Sequence, residues 1–97
     1  MIKITRPGVS VIIPCYQNAN ELPQAVNSVL SQDYDNLEVV IIDNGSTDKT
    51  PFVCGILAKK DERVRWKSLA ANVGPAGARN TGANLAQGQY LAFLDAD

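Results

Sequence analysis

The chain has 97 residues, of which 45% are hydrophobic, and its nine basic and ten acidic side chains leave a net charge of −1. This describes one small domain with a feasible buried core, and the near-neutral balance argues against a nucleic-acid binder that works by neutralising phosphates. No histidine is present, so any acid–base or metal chemistry must fall to carboxylates.

Residues 1–8 read as a short N-terminal extension ahead of a single unit over 9–97. Lys3 and Arg6 are not followed by the apolar stretch of a signal peptide, and no apolar run approaches the length of a membrane span. Cys15 and Cys54 both lie in apolar stretches and read as small buried hydrophobes in a reducing compartment. A soluble cytoplasmic chain is expected, with the inner face of a membrane left open.

The first predicted element is a strand over Val9–Pro14 (VSVIIP), rich in β-branched residues and ended by its proline. Leu22, Ala25, Val26, Val29 and Leu30 then recur at helical spacing and form one apolar stripe, with Asn20 as the expected N-cap and Pro23 tolerated in the first turn. Leu37–Asp43 (LEVVIID) is a second strand. A second helix follows, capped by Ser46 or Thr47, with Asp48 at its positive end and Pro51 in its first turn. Val53, Ile56 and Leu57 are its expected core residues, and Gly55 weakens it.

Val64–Leu69 alternates Val64 and Trp66 against Arg65 and Lys67, the period of a strand with one wet face, and Trp66 is assigned to the core. Asn72–Gly88 is rich in small residues. Pro75 suits a helix start, and Ala78, Gly82, Leu85 and Ala86 form a slim face for close packing on a sheet. Tyr90–Leu94 (YLAFL) is expected as a buried fourth strand.

The order βαβαβαβ specifies an α/β fold with a parallel sheet and right-handed crossovers. Strands one, two and four are nearly continuous apolar runs, whereas the third alternates and suits an edge. The strand order 3-2-1-4 satisfies both conditions. It creates a switch point between strands one and four, and ligands bind beside the carboxyl ends of strands at such a point.

At those ends stand Pro14-Cys15-Tyr16-Gln17-Asn18, Asp43-Asn44-Gly45-Ser46-Thr47-Asp48, and Asp95-Ala96-Asp97. A rim of carboxylates with few cations holds a diphosphate through a divalent cation, and Mg²⁺ or Mn²⁺ accepts one or two carboxylates together with phosphate oxygens. Asp95 and Asp97 supply such a pair. Tyr16 is placed to stack on a base or to pack, Arg79 to meet a phosphate or to be solvated, and Asp48 to cap a helix. No GxxxxGK[ST] phosphate loop occurs, and the first turn has no glycine, which disfavours a dinucleotide-binding dehydrogenase.

VSVIIPCYQN, LEVVIIDNGSTDKT and NVGPAGARNTGANLAQGQYLAFLDAD resemble, in order and spacing, the three signature blocks of the glycosyltransferase family two enzymes, which have the GT-A fold. The resemblance covers residues 9–97. It implies a Rossmann-like half of a GT-A fold, cut after the fourth strand, in a nucleotide-diphospho-sugar transferase that is inverting and metal-dependent. By motif position it implies that Pro14 and Tyr16 border the nucleoside pocket and that Asp43 and Asn44 meet the base. It further implies Arg79 near the nucleotide, Asp95 near the ribose and sugar, and Asp97 on the metal.

Two positions depart from the family pattern: Asn44 replaces the usual second aspartate, and Gln17 replaces the usual asparagine after the tyrosine. An asparagine still accepts the imide N–H of uracil or thymine, which leaves UDP- and dTDP-sugars as donors. The family's catalytic base lies downstream of the DxD block, so donor binding without turnover is expected of these 97 residues, and self-association through the fourth strand is expected too. The competing readings are a nucleotide-binding module without turnover and a metal-dependent nucleotidyltransferase. The latter typically has a glycine-rich, basic first turn, and PCYQN is neither.

Overall fold

Alternation within the central strands divides the core in two. In the computed structural model, which describes residues 7–97, β1 (Val9–Cys15) and β2 (Leu37–Asp43) run side by side from Val9↔Leu37 to Cys15↔Asp43. Val11, Ile13, Cys15, Val39 and Ile41 point to one face. There they pack on α1 (Leu22–Leu30) and α2 (Thr50–Lys60) through Leu22, Val26, Val29, Cys54 and Leu57. Ile12, Val40 and Ile42 point to the other, onto α3 (Gly74–Leu85). Helices therefore cover both faces of the central strands, as their unbroken apolar runs require.

β3 (Val64–Ser68) pairs with β2, and β4 (Tyr90–Phe93) pairs with β1, giving four parallel strands in the order β3-β2-β1-β4. The expected α/β fold and strand order are thus observed. α3 lies close on the sheet because its buried face is only Ala78 and Gly82. A β-carbon on Gly82 would run into the Ile12 side chain.

Several local expectations are corrected. The N-cap of α1 is Glu21, not Asn20, and that of α2 is Lys49, not Ser46 or Thr47; neither makes a side-chain cap bond. Asp48 instead accepts the backbone N–H of Thr50 at 2.9 Å and its hydroxyl at 2.5 Å. In α2, Thr50, Cys54 and Leu57 are buried and the expected Val53 packs partly against the core, whereas Ile56 is exposed. The buried stripe of α2 runs through Thr50, Cys54 and Leu57, and Ile56 falls to the side of it.

Trp66 is also exposed, because β3 is the outermost strand and only Val64 is covered fully. Expected to be buried, β4 is exposed at all four positions: its backbone pairs with β1 alone among the described residues. Of the expected extension over 1–8, residues 1–6 lie outside the described residues. Gly8 already belongs to the sheet margin, donating its N–H to the Asn36 carbonyl at 2.8 Å and accepting from Tyr90 at 3.0 Å.

Candidate functional site at the carboxyl ends of the strands

The parallel sheet aims the ends of β1, β2 and β4 at one rim. From β1, Pro14 is half-buried and paired with Ile42, and Tyr16 stands just beyond the strand with 47% of its surface exposed. Cys15 between them points into the core. Hydrogen bonding with Cys54, then burial, hold its thiol well above the ordinary cysteine value. Both cysteines are free and buried, as the sequence suggested.

From β2, Asp43 is fully buried. Its carboxylate accepts the Ser68 hydroxyl at 2.8 Å and the Ser46 N–H at 3.2 Å, which ties the end of β2 to β3 and to the following loop. Gly45 turns that loop at φ 77°, against the backbone of Ala71 and Asn72. A side chain there would meet both a strained φ and a neighbouring main chain.

Asn44 is only 5% exposed. Its Oδ1 accepts the Val73 N–H at 2.9 Å, and its Nδ2 donates to Asn72 Oδ1 at 3.2 Å and to the Gly74 carbonyl at 3.3 Å. Both amide hydrogens are engaged, and Oδ1 keeps one lone pair. Asn44 therefore anchors the connection that enters α3. Asn72 reinforces it by accepting the Gly74 N–H at 2.8 Å.

Beyond β4, the Leu94 N–H still donates to the Ile12 carbonyl at 3.0 Å, and Ala96 is buried against the α1 face. The alternation turns Asp95 and Asp97 outward. Arg79 of α3 comes within 4.0 Å of the Asp95 carboxylate, an exposed pair. Asp95 and Asp97 also line a cleft of about 280 Å³ with Glu21, Gln24 and Ser28. Among the described residues, no three acidic, histidine or cysteine groups cluster as a metal cage.

The structure thus brings Arg79 together with Asp95, and Asn44 together with the entry to α3. Tyr16 shares the rim but makes no side-chain hydrogen bond to either group. One residue that carries this geometry, Gln17, was noted in the sequence only as a departure from pattern. Its partners lie some thirty positions away, a distance at which no local spacing rule operates.

The profile of Glycosyl transferase family 2 matches residues 10–97. An uncharacterized glycosyltransferase of Haemophilus influenzae is 44% identical over 91 residues, covering 94% of this chain and 36% of its own length. The putative teichuronic acid biosynthesis glycosyltransferase TuaG of Bacillus subtilis is 42% identical over 92 residues, covering 95% and 36%. The chain therefore spans little more than a third of the length of these relatives.

Among solved structures, the Pyrobaculum calidifontis mannosyltransferase PcManGT, in complex with GDP-Man and Mn²⁺, superposes with a TM-score of 0.86 at 34% identity. That match covers 95% of this chain and 28% of the other. Residues 1–349 of Staphylococcus aureus TarS, in complex with UDP, give 0.80 at 32% identity, covering 92% and 27%.

Proposed function

This chain belongs to glycosyl transferase family 2, and we propose that it forms the donor-binding half of an inverting, metal-dependent enzyme. In this reading the enzyme moves a sugar from a UDP- or dTDP-sugar to an acceptor hydroxyl. The observation that carries it is the meeting of Arg79 with Asp95, beside the outward-facing Asp97, at the switch point between β1 and β4. A cation and two carboxylates at that point suit a sugar diphosphate and its counter-ion, because open α/β sheets bind ligands there.

The donor set fits Mg²⁺ or Mn²⁺. These hard ions take one or two carboxylates and complete their shells with water and substrate phosphates, so a full protein cage is not required. Asp97 would hold the ion, with Asp95 toward the ribose and sugar and Arg79 toward the nucleotide. Bound there, the ion would neutralise charge on the leaving diphosphate. The complex of PcManGT with GDP-Man and Mn²⁺ supports a divalent cation in a related protein.

Pro14, Tyr16, Asp43 and Asn44 form the nucleoside side. The free lone pair on Asn44 Oδ1 matches the imide N–H of a pyrimidine, whereas its amide hydrogens are already engaged. Related proteins are in complex with UDP and with GDP-Man. The acceptor site and the catalytic base are assigned to the length that the relatives have and this chain does not span. In this reading these 97 residues contribute donor binding, in the cytoplasm or at the inner face of a membrane. Among the described residues, no helix is long and apolar enough to cross a membrane. A role in cell-surface polysaccharide synthesis suits this reading, and the name of TuaG gives putative teichuronic acid biosynthesis for that protein.

Calorimetry with UDP, dTDP and GDP, with and without Mn²⁺, tests the reading. Metal-dependent binding of UDP or dTDP is expected, and Asp97→Ala should abolish the metal dependence, because the ion loses the carboxylate that would hold it. Equal affinity of variant and wild type would defeat the metal assignment. GDP binding as tight as UDP and dTDP would defeat the pyrimidine assignment.

A further inference from the structure

At the end of β1 the chain turns through Tyr16, Gln17 and Asn18 without a glycine. Gln17 nevertheless has φ 56°, in the left-handed region that residues with a β-carbon seldom enter unless their surroundings hold them there. Four hydrogen bonds hold it. Its N–H donates to Ser46 Oγ at 2.9 Å, and its Nε2 donates to Thr47 Oγ1 at 2.9 Å. Its Oε1 accepts the backbone N–H groups of both Thr47, at 2.8 Å, and Asp48, at 3.1 Å.

All four bonds reach the loop between β2 and α2. The adjoining Asn18 N–H, which donates to Thr50 Oγ1 at 3.0 Å, continues the same seam. The loop is in turn tied to Asp43 through the Ser46 N–H. Gln17 therefore fixes the backbone that carries the exposed Tyr16 relative to Asp43 and Asn44. Side-chain length matters here. One carbonyl oxygen spans two successive N–H groups while the amide nitrogen reaches a third partner, and an asparagine is one methylene too short to do so from the same backbone.

We propose that Gln17 is a positioning residue for the donor nucleoside, latching the two loops into one preformed wall for the base. This assignment rests on the donor-site reading above. The wall meets only the nucleoside, whereas Asp97 holds the ion, with Asp95 toward the ribose and sugar and Arg79 toward the nucleotide, from elements that Gln17 does not touch. Loss of the latch therefore removes pre-organisation for the base alone.

Gln17→Gly isolates this effect, because glycine adopts the left-handed backbone without strain while removing the side chain. The experiment compares this variant with the wild type by calorimetry, using UDP with Mn²⁺ and inorganic pyrophosphate with Mn²⁺, beside hydrogen exchange at the Thr47 and Asp48 amides. UDP affinity is expected to fall by about tenfold or more, with pyrophosphate affinity and cooperative melting unchanged and the two amides exchanging faster. Unchanged UDP affinity, or equal losses for UDP and pyrophosphate, would overturn the assignment. Should the glycine variant not fold, Gln17→Asp carries the same expectation, since aspartate tolerates the left-handed region but is shorter and has no amide to donate to Thr47 Oγ1. A wild-type chain that binds neither UDP nor pyrophosphate would overturn the donor-site reading and this assignment with it. A chain that binds both, with Gln17→Gly unaffected, would overturn this assignment alone.

Discussion

Asn44 shows how a single side chain divides into two roles. Its Nδ2 serves the fold, donating to Asn72 Oδ1 and the Gly74 carbonyl, while its Oδ1 accepts from Val73 and retains a lone pair. Asn72 cannot flip its amide to accommodate a change, because its Oδ1 also accepts the Gly74 N–H. Asn44→Asp would set carboxylate oxygens against two acceptors. It should reduce stability in urea denaturation by about 1–3 kcal/mol, yet keep UDP affinity, because the acceptor that meets an imide N–H survives. Asn44→Ala should lose stability and also weaken UDP binding by about 1–3 kcal/mol. If both variants bind UDP like the wild type, Asn44 does not read the base. The sequence placed Asn44 beside Asp43 on the rim, but nothing in it indicated that residues 72–74 would claim both amide hydrogens.

Elements are joined at the amino ends of the strands by a second polar cluster, remote from the rim. Glu38 of β2 is nearly buried and accepts the Ser10 hydroxyl of β1 and the Gln87 N–H, each at 2.6 Å, and the Arg65 guanidinium of β3 at 2.9 Å. Arg65 also donates to the Leu85 carbonyl at the end of α3, at 2.6 Å, where a cation suits both the free carbonyl and the helix dipole. Burial alone would raise the carboxyl pKa of Glu38. The bonds from Ser10, Gln87 and Arg65 outweigh it and hold the group below the ordinary carboxylate value. A depressed folded-state pKa stabilises the fold above the unfolded value of about 4.3 and loses that contribution as pH falls toward the folded value. Glu38→Gln should therefore cost about 1–3 kcal/mol at pH 7, and the gap to wild type should close as pH is lowered through 4. A gap independent of pH would show that packing, not charge, is what Glu38 contributes. The helical stripe of α1 and the strand runs were legible because each repeats a local period. This cluster was not, because Ser10, Glu38, Arg65 and Gln87 come from four separate segments.

The exposed β4 decides how the whole molecule behaves. Tyr90, Leu91 and Phe93 are 69%, 45% and 51% exposed, and β4 pairs on one side only among the described residues. The strand carries no proline, lysine or other charge before Asp95, and such an edge recruits another strand unless something blocks it. Leu91 and Phe93 share the α3 face with Ser10 and Ile12, their register partners. The 97-residue chain should sediment at micromolar concentration as a dimer or larger species, and Leu91→Lys should shift it toward monomer. A monomeric wild type would show that this edge does not self-pair.

The sequence by itself determined the order of elements, the parallel sheet with its 3-2-1-4 arrangement, and the rim on which Tyr16, Asp43, Asn44, Asp95 and Asp97 stand. Those features follow from hydrophobic period, chain connectivity and the rule that strand ends collect at one side. Tertiary structure alone decided that Trp66 and Ile56 face solvent, that β4 is uncovered, and that Arg79 approaches Asp95. It alone decided that Gln17 closes on Thr47 and Asp48. Burial of an apolar residue depends on which neighbour arrives to cover it, and a hydrogen bond across thirty residues depends on the register of two strands. Neither quantity exists until the chain has folded.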